Sequence, residues 1–172
     1  MVPGELIKAI IRDAVIEDLD DIVGIYNSTI PGRMVTADTE KVTVESKKQW
    51  FYEHSNSFRP LWAMENNGKI IGWLSFQSFY GRPAYNTTAE ISIYIHENYR
   101  GLGLGNQFLT EALNKSFNYG IKTLLGFIFA HNTPSLSLFS KSSFEKWAHL
   151  PRVAEIDHLE RDLIIMGKRV NI

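Results

Sequence analysis

The chain has 172 residues and a formal net charge of −1; 44% of its residues are hydrophobic and 22% are charged. We expect one soluble domain over residues 1–172, and the near-neutral charge gives no reason to expect a nucleic acid or a membrane as partner. Cysteine is absent, which excludes disulfides, thiolate metal sites and a cysteine nucleophile. The segment 1–11 does not resemble a signal peptide and no apolar run is long enough to span a bilayer, so the expected location is the cytoplasm.

The first half of the chain is predicted to form a strand, two helices and an antiparallel pair of strands. Helical spacing of apolar residues indicates the helices, and the turn signal Asn66-Asn67-Gly68 indicates a hairpin. The predicted elements are a strand over 7–11, helices over 17–27 and 43–54, and strands over 61–65 and 70–79.

The second half alternates strands and helices. The predicted elements are a strand over 87–95, a helix over 103–119, a strand over 123–130, a short helix from Thr133, and strands over 147–150 and 161–168. The longer helix places Phe108, Leu109 and Phe117 on one apolar face. This order of elements indicates a mixed α/β sheet rather than a doubly wound fold.

The run Tyr99–Asn106, between a predicted strand and a predicted helix, contains glycine at three alternate positions. Glycine allows a tight turn and close approach of a ligand, and the free N–H groups at the start of a helix favour phosphate or pyrophosphate. A P-loop is excluded because no Lys-Ser or Lys-Thr pair follows, and the spacing does not match the dinucleotide pattern G-x-G-x-x-G. The alternative is a glycine-rich helix start with a structural purpose alone.

The remaining pattern, R-x-x-G-x-G at Arg100, Gly103 and Gly105, resembles the acetyl-CoA signature of the GNAT superfamily of N-acetyltransferases. Several further runs resemble the branch of that superfamily that acetylates phosphinothricin and methionine sulfone. These runs are 11–14, 25–27, 82–85, 89–95 and 132–136. The resemblance implies the α/β GNAT fold, with a mixed, mostly antiparallel central sheet flanked by helices and with strands that splay at the coenzyme site.

The resemblance also implies which residues bind acetyl-CoA. Backbone N–H groups of the glycine turn would bind the pyrophosphate, and the strand that ends at Ile95 would pair with the pantetheine arm as with a neighbouring strand. The implied coenzyme-binding residues are Ile93, Tyr94, Ile95, Arg100, Gly101, Leu102, Gly103, Leu104, Gly105, Asn106 and Asn132. A solvated surface position for Arg100 and a helix-capping role for Asn132 are open alternatives.

Acetylation of an amine requires its neutral form, so a base must remove a proton from a group that is mostly protonated at neutral pH. Glu90 lies in an otherwise apolar predicted strand, just before the residues that would pair with the coenzyme, and it matches the general-base glutamate of the family. Partial burial would raise its pKa toward the working pH. The alternative is a strand Glu that faces solvent or an Arg partner.

The predicted acceptor residues are Arg82, Pro83, Ala84 and Tyr85, in the loop before that strand. Arg82 is suited to pair with a substrate carboxylate, although a solvated Arg and a Tyr that covers the core are the alternative. Phe139 occupies a position where the branch often has His, and it cannot donate a proton. The segment 153–162 keeps only the final Asp of a branch segment that helps to form the wall of the acceptor site, so the acceptor site departs from the branch pattern here.

The sequence therefore predicts an acetyl-CoA-dependent N-acetyltransferase for a small amino-acid-like amine of the phosphinothricin or methionine sulfone and sulfoximine type. Acetylation of protein N-termini or lysines, and a non-catalytic acyl-CoA-binding sensor, are the alternatives. The five histidines show no metal-ligand spacing, so no metal is expected. Members of the branch are commonly dimers, and the apolar strands 147–150 and 163–166 are a candidate homodimer interface.

Overall fold

The computed structural model describes residues 9–170, which form one seven-stranded sheet flanked by four α-helices. In chain order the elements are β1 (Ile10–Asp13), α1 (Leu19–Thr29), α2 (Val44–Tyr52), β2 (Leu61–Asn66), β3 (Lys69–Ser78), β4 (Thr88–Ile95), α3 (Leu104–Lys115), β5 (Thr123–Phe129), α4 (Thr133–Lys141), β6 (Glu145–Ile156) and β7 (Leu159–Arg169). Single 3₁₀ turns lie at Ile16–Asp18, Ile30–Gly32, Pro83–Tyr85, Glu97–Tyr99 and Ser116–Tyr119. No helix within residues 9–170 is both long and apolar enough to cross a bilayer.

The sheet is mixed and mostly antiparallel, as predicted. Its strand order is β1-β2-β3-β4-β5-β7-β6. Every neighbouring pair runs antiparallel except β4 and β5, which are parallel. That parallel pairing is short: it joins Thr88–Glu90 to Thr123–Leu125 and then stops. The two central strands therefore diverge after Glu90, which is the predicted splay.

Local sequence signals explain where several elements begin. Asn67 and Gly68 both adopt positive φ between β2 and β3, the conformation that a tight hairpin turn needs. The Thr43 hydroxyl oxygen accepts a hydrogen bond from the backbone N–H of Ser46 at 3.1 Å, so α2 starts at the next residue after Thr43. Proline in the first turn of α4 also marks a helix start. Proline lacks a backbone N–H, and N–H groups in the first turn have no acceptor within the helix, so no hydrogen bond is lost.

Two hydrophobic clusters cover the two faces of the sheet. Successive residues of β2 alternate between them: Trp62 and Met64 pack with α3, whereas Leu61 and Ala63 pack with α1. The α3 cluster is centred on Phe108. Strand β4 alternates in the same way, so its even-numbered residues face α1 and α2.

The predicted helix 103–119 ends as an α-helix at Lys115 and continues as the 3₁₀ turn Ser116–Tyr119. The prediction that Phe117 lies on the buried face is wrong, because its side chain is 61% exposed. A 3₁₀ turn has three residues per turn instead of 3.6, which rotates later residues away from the apolar stripe. Gly120, with φ of 67°, ends the turn.

The outer strands differ most from the sequence-based boundaries. The predicted strand 7–11 falls partly on residues outside the described part, and β1 runs from Ile10 to Asp13. Strand β6 runs from Glu145 to Ile156, well beyond the predicted 147–150, and its pairing with β7 has two irregularities, one at Trp147 and one between Leu150 and Ala154. At Arg152 the backbone adopts φ of 53°. Each irregularity breaks the alternation by which a strand is recognised.

Candidate active site

Two cavities meet at strand β4. A cavity of about 560 Å³, called the gap cavity, lies where β4 and β5 diverge, between β4, the start of α3 and α4. A cavity of about 440 Å³, called the face cavity, lies against the sheet face that α1 and α2 cover. The residues that line both are Val35, Ser92, Tyr94 and Phe127. The two cavities are therefore adjacent, and the end of β4 that is not paired with β5 lies between them.

The gap cavity presents an open strand edge and a helix start. From Ile91 to Ile95, β4 keeps its pairing with β3, but the described residues supply no strand on the other side. Backbone groups along that edge can pair with an extended ligand as they would with an added strand. Helix α3 begins at Leu104 in the same cavity, and its first backbone N–H groups have no acceptor within the helix. An extended ligand that carries phosphates fits this arrangement.

The three glycines of the turn have different purposes. Gly101 and Gly103 adopt φ of 75° and 79°, a conformation that favours glycine. Gly105 is helical, and a Cβ atom there would lie 2.8 Å from a methyl carbon of Leu138 in α4. Gly105 therefore allows α3 and α4 to pack closely, a reason different from the ligand approach that the sequence pattern suggested.

The structure brings the predicted coenzyme residues together around the gap cavity, with the exception of Leu102, whose side chain is 46% exposed. The Nε–H of Arg100 donates to the Ile95 carbonyl oxygen at 3.1 Å, which ties the glycine turn to the end of β4. Asn132 is buried; its side-chain oxygen accepts a hydrogen bond from Ser135 N at 3.2 Å and it also lines the cavity. Capping and ligand contact are thus compatible for Asn132.

Phe139 closes one side of the gap cavity with an apolar ring. It is 4% exposed, packs against Gly126 of β5 and lies edge-on to Phe144 with ring centroids 4.9 Å apart. A Cβ atom on residue 126 would collide with the Phe139 ring, so the glycine makes room for it. The ring offers no proton to a leaving group at this position.

The floor of the face cavity consists of three cross-strand pairs of β3 and β4. Trp73 is paired with Tyr94, Ser75 with Ser92 and Gln77 with Glu90. The Trp73 and Tyr94 rings are stacked, with centroids 4.3 Å apart. The pairs become more polar along the strands toward Glu90. One end of the floor is therefore aromatic, and the other end carries the carboxylate of Glu90.

Glu90 is the acidic residue of this cavity. It is half-buried, and no group among residues 9–170 donates a hydrogen bond to its carboxylate. Burial raises the pKa of Glu90, because the charged form loses hydration that no partner replaces. It also lies at the last paired position before β4 and β5 diverge. Glu90 thus combines a raised pKa with a position beside the gap cavity. Such a carboxylate is suited to act as a general base.

The walls of the face cavity come from α1, α2 and the loop between them. Tyr26 donates its hydroxyl hydrogen to the Asp38 carboxylate, and its oxygen lies 2.6 Å from Thr36 Oγ1. Burial, together with Asp38, raises the pKa of Tyr26 to about 12, so the phenol stays neutral. Lys47 Nζ lies 5.4 Å from the centroid of the Tyr26 ring and 5.8 Å from that of Trp50.

The loop between α1 and α2 covers the face cavity and is fastened by Arg33. The Arg33 Nε–H donates to the Asp157 carboxylate at 2.8 Å, at the turn between β6 and β7. A second nitrogen of the same guanidinium donates to the Thr39 carbonyl oxygen at 2.8 Å. The carbonyl oxygen of Arg33 lies 2.9 Å from His131 Nε2. Since Val153 of β6 also lines the cavity, this loop and β6 cover it together.

The predicted acceptor residues are not brought next to Glu90. Arg82, Pro83, Ala84 and Tyr85 lie in an exposed turn and line neither cavity. Tyr85 packs edge-on to Phe79, with centroids 5.4 Å apart. A direct role for this turn in acceptor binding stays a prediction.

The sequence analysis did not identify Lys47, Gln77 or Tyr26 as residues that line this cavity. Gln77 carried a readable signal, since it is a polar residue in an apolar strand two positions after Ser75. Lys47 had no such signal, because a lysine on a half-exposed helix is ordinary. Within residues 9–170 no group of three or more His, Asp or Glu side chains is arranged to bind a metal ion.

Comparison with known proteins gives the family. The model of the Acetyltransferase (GNAT) family matches residues 20–144. The protein named "Putative phosphinothricin acetyltransferase YwnH" of Bacillus subtilis is 53% identical over 155 residues, which cover 90% of this chain and 94% of that protein. An "L-methionine sulfoximine/L-methionine sulfone acetyltransferase" of Pseudomonas paraeruginosa is 27% identical over 149 residues, 86% of this chain and 87% of the relative.

Solved structures agree. The crystal structure of a "putative phosphinothricin N-acetyltransferase" has a TM-score of 0.92 at 51% identity and covers 96% of this chain and 100% of that one. A phosphinothricin acetyltransferase of Sinorhizobium meliloti, crystallised with acetyl-CoA, has the same fold, with a TM-score of 0.89 at 23% identity over 95% of this chain and 89% of that one. By sequence and by fold, the chain belongs to the GNAT family of acetyltransferases.

Proposed function

We propose that this acetyltransferase uses acetyl-CoA to acetylate the amine of a small amino-acid-like acceptor of the phosphinothricin or methionine sulfone and sulfoximine type. The observation that carries the proposal is the position of Glu90. Its half-buried carboxylate, with a raised pKa, lies in the face cavity at the point where that cavity meets the gap cavity. An amine in the face cavity would meet both a base and an acyl donor.

In this proposal acetyl-CoA occupies the gap cavity. Backbone N–H groups from Gly101 to Asn106 would bind the pyrophosphate at the start of α3, where the helix dipole favours negative charge. The open edge of β4 from Ile93 to Ile95 would pair with the pantetheine arm. Backbone supplies both contacts, so the side chain of Leu102 is free to face solvent.

Glu90 would accept the proton that the acceptor ammonium releases, directly or through one water molecule. The neutral amine nitrogen then forms a bond to the acetyl carbon, and the bond from that carbon to sulfur breaks. Backbone N–H groups of β4 would stabilise the transient oxyanion. The thiolate leaves without an acid from the protein, because Phe139 has no acidic proton to donate, and a thiol of pKa about 8.5 is a tolerable leaving group. The nitrogen, which still carries one proton more than an amide, releases that proton to water, and the thiolate takes a proton from water, so the products are the neutral amide and the thiol of coenzyme A.

The dimensions of the face cavity favour a small acceptor. A volume of about 440 Å³ is in the range of small-molecule sites. The covering loop and β6 restrict it further, since Val35 and Val153 both line it. A protein N-terminus or a lysine side chain would have to bring its flanking peptide past this cover. That observation favours a free amino acid over a protein acceptor.

An amine panel tests this function. We expect release of coenzyme A with L-phosphinothricin, L-methionine sulfone or L-methionine sulfoximine, and little release with peptides that present a free N-terminus or a lysine. Turnover of the peptides alone would support the protein acetyltransferase. Tight binding of acetyl-CoA without turnover on any amine would support the non-catalytic sensor and contradict the proposal.

A homodimer and a cytoplasmic location are also part of the proposal. Of the two candidate interface strands, β7 buries Ile164 and Met166 in the core of its own chain, whereas β6 exposes Trp147 and Leu150. We therefore assign the interface to β6, with residues 1–172 acting as one domain. Light scattering at micromolar concentration tests the dimer, and a monomer mass would contradict it. Fractionation of cells tests the location.

A further inference from the structure

The residues that line the face cavity include two charged side chains, Glu90 on β4 and Lys47 on α2. Its other polar lining groups are neutral hydroxyls and an amide, among them Ser75, Ser92 and Gln77. The cavity therefore presents one acidic group and one basic group on different elements. A ligand with one positive and one negative charge would complement it.

Lys47 has no anionic partner of its own. Among residues 9–170 it forms no ion pair, whereas its neighbour Lys48 pairs with Glu45 at 2.6 Å. The Asp38 carboxylate accepts the hydroxyl of Tyr26 instead. This distribution leaves the Lys47 ammonium available to an incoming anion.

The Lys47 ammonium is flanked by aromatic rings, and no acceptor among residues 9–170 forms a hydrogen bond with it. The ammonium lies over the rings of Tyr26 and Trp50, at 5.4 and 5.8 Å from their centroids. Ring faces attract a cation but accept no strong hydrogen bond, and an ammonium has three N–H groups to donate. A carboxylate in the cavity would accept one or more of them. The aromatic wall would at the same time exclude water from that contact.

We propose that Lys47 binds the carboxylate of the acceptor, so that the acceptor is a zwitterionic α-amino acid whose ammonium lies beside Glu90. This assignment rests on the proposed function and deepens it. It places acceptor recognition on α2 and not in the exposed turn 82–85. An amine without a carboxylate would leave Lys47 facing a neutral ligand, and it would bind more weakly for that reason.

The test compares acceptors that differ only in the carboxylate. L-Phosphinothricin, L-methionine sulfone and L-methionine sulfoximine are each paired with the corresponding α-carboxamide. For Lys47→Met, which keeps the apolar stem, we expect the KM of the acid to rise about ten- to a hundredfold, as loss of a charge-assisted hydrogen bond predicts. The KM of the amide should stay within about twofold of the wild type. Lys47→Arg should recover part of the preference for the acid.

Lys48→Met is the matched control, because Lys48 is exposed on the same helix turn and paired with Glu45. It should leave both KM values unchanged. Equal losses for acid and amide in Lys47→Met would overturn the assignment, since they would indicate a general packing defect. The affinity for acetyl-CoA, measured by calorimetry, confirms that each variant is folded.

Calorimetric binding of the acids and amides in the absence of acetyl-CoA separates this assignment from the proposed function. If the wild type binds the acids more tightly than the amides and Lys47→Met loses that preference, the assignment holds even where no acetyl transfer follows. In that case the proposed reaction alone fails. If the wild type binds the acids no more tightly than the amides, the assignment of Lys47 is wrong, whatever the turnover.

Discussion

The gap cavity and the face cavity lie side by side but are built from different material. The gap cavity uses backbone: an open edge of β4, two glycines at positive φ and the start of α3. The face cavity uses side chains from α1, α2, a loop and the strands β3 to β7. A site made of backbone can bind a ligand that related proteins share, because it does not depend on particular side chains, whereas a site made of side chains can differ from one protein to the next. The difference explains why the donor is easier to infer than the acceptor.

Loss of Glu90 should have the largest effect and should be confined to the face cavity. For Glu90→Gln we expect turnover to fall about 10²- to 10⁴-fold with little change in the Kd of acetyl-CoA. The defect should shrink at high pH, because more of the amine is then neutral without a base. In the wild type, kcat/KM should fall as the pH drops through the raised pKa of Glu90, because the base becomes protonated.

The exposed Glu97, just beyond the end of β4, provides the control Glu97→Gln, which should behave as the wild type. If Glu90→Gln turned over as fast as the wild type from about pH 6 to about pH 9, Glu90 would have no part in catalysis. If Glu90→Gln weakened acetyl-CoA binding as much as it lowered turnover, the two cavities would not have separate functions.

A change in the glycine turn should affect the gap cavity first. Gly103→Val forces a branched residue into φ of 79° at the start of α3, so we expect the Kd of acetyl-CoA to rise by about tenfold or more. Gly68→Val is the matched control, since Gly68 has φ of 77° and equally open surroundings in the β2–β3 turn. Calorimetry on both folded variants measures the difference. An unchanged Kd in Gly103→Val would contradict a coenzyme site at this turn.

The contact between Gly105 and Leu138 should decide stability. In Gly105→Ala the added methyl group would displace the end of the Leu138 side chain, while alanine favours the helix over glycine by up to about 1 kcal/mol, so we expect a net loss of at most about 2 kcal/mol in the free energy of unfolding. Leu138→Ala loses packing of its own, but in that background the effect of Gly105→Ala should be smaller, because the clash is gone. Urea denaturation measures both. A Gly105→Ala protein with the same loss in the wild-type and the Leu138→Ala background would show that this contact does not limit the packing of the two helices.

Glu90 should also make stability depend on pH. Burial raises its pKa in the folded protein, so its contribution to stability is fully present below the unfolded pKa and lost as the pH rises through the folded pKa. Gln has no ionisable group, so the stability of Glu90→Gln does not fall through this residue as the pH rises. The melting temperature of Glu90→Gln should therefore gain on the wild type with rising pH, by on the order of a few degrees. A difference in melting temperature that stays constant from about pH 4 to about pH 8 would be inconsistent with this burial.

Loss of the ion pair between Arg33 and Asp157, which holds the covering loop in place, should have the smallest effect. An exposed ion pair such as that of Arg33 and Asp157 contributes about 0.2–1 kcal/mol. Arg33→Ala should therefore raise the KM of the acceptor about two- to fivefold and leave the Kd of acetyl-CoA unchanged. Arg152→Ala, which removes the neighbouring and longer contact to Glu160, serves as control. A larger rise in the Kd of acetyl-CoA than in the KM of the acceptor would contradict a role of this loop in acceptor binding.

The same division explains what could be predicted from the sequence. The gap cavity is formed largely by short runs, such as Tyr99–Asn106, and each run keeps its own local signal. Glu90 was predicted because a lone carboxylate in an apolar strand is unusual and because it matches the general-base glutamate of the family; its catalytic role stays a prediction. The face cavity joins Tyr26, Lys47 and Val153, which are far apart in the chain and individually ordinary. Only the packing of α1, α2 and β6 on the face of the sheet shows that these three residues surround one space.

The purpose of Gly105 and the full length of β6 were also beyond the sequence. A glycine that makes room for Leu138 looks the same in a motif as a glycine that makes room for a ligand. Strand β6 loses its alternation at two irregularities, so its pattern indicated only the apolar part. In both cases the deciding contact lies with a partner distant in the chain.

The open edge of β4 has a consequence for solubility. An unpaired strand edge is normally a hazard, because a second chain can add to it and begin aggregation. Here the edge from Ile91 to Ile95 lies inside the sheet, between β5 on one side and the start of α3 and α4 on the other. A narrow, flexible molecule can enter that gap, but a second β-sheet cannot. The chain thus keeps an edge open for pairing while denying it to other copies of itself.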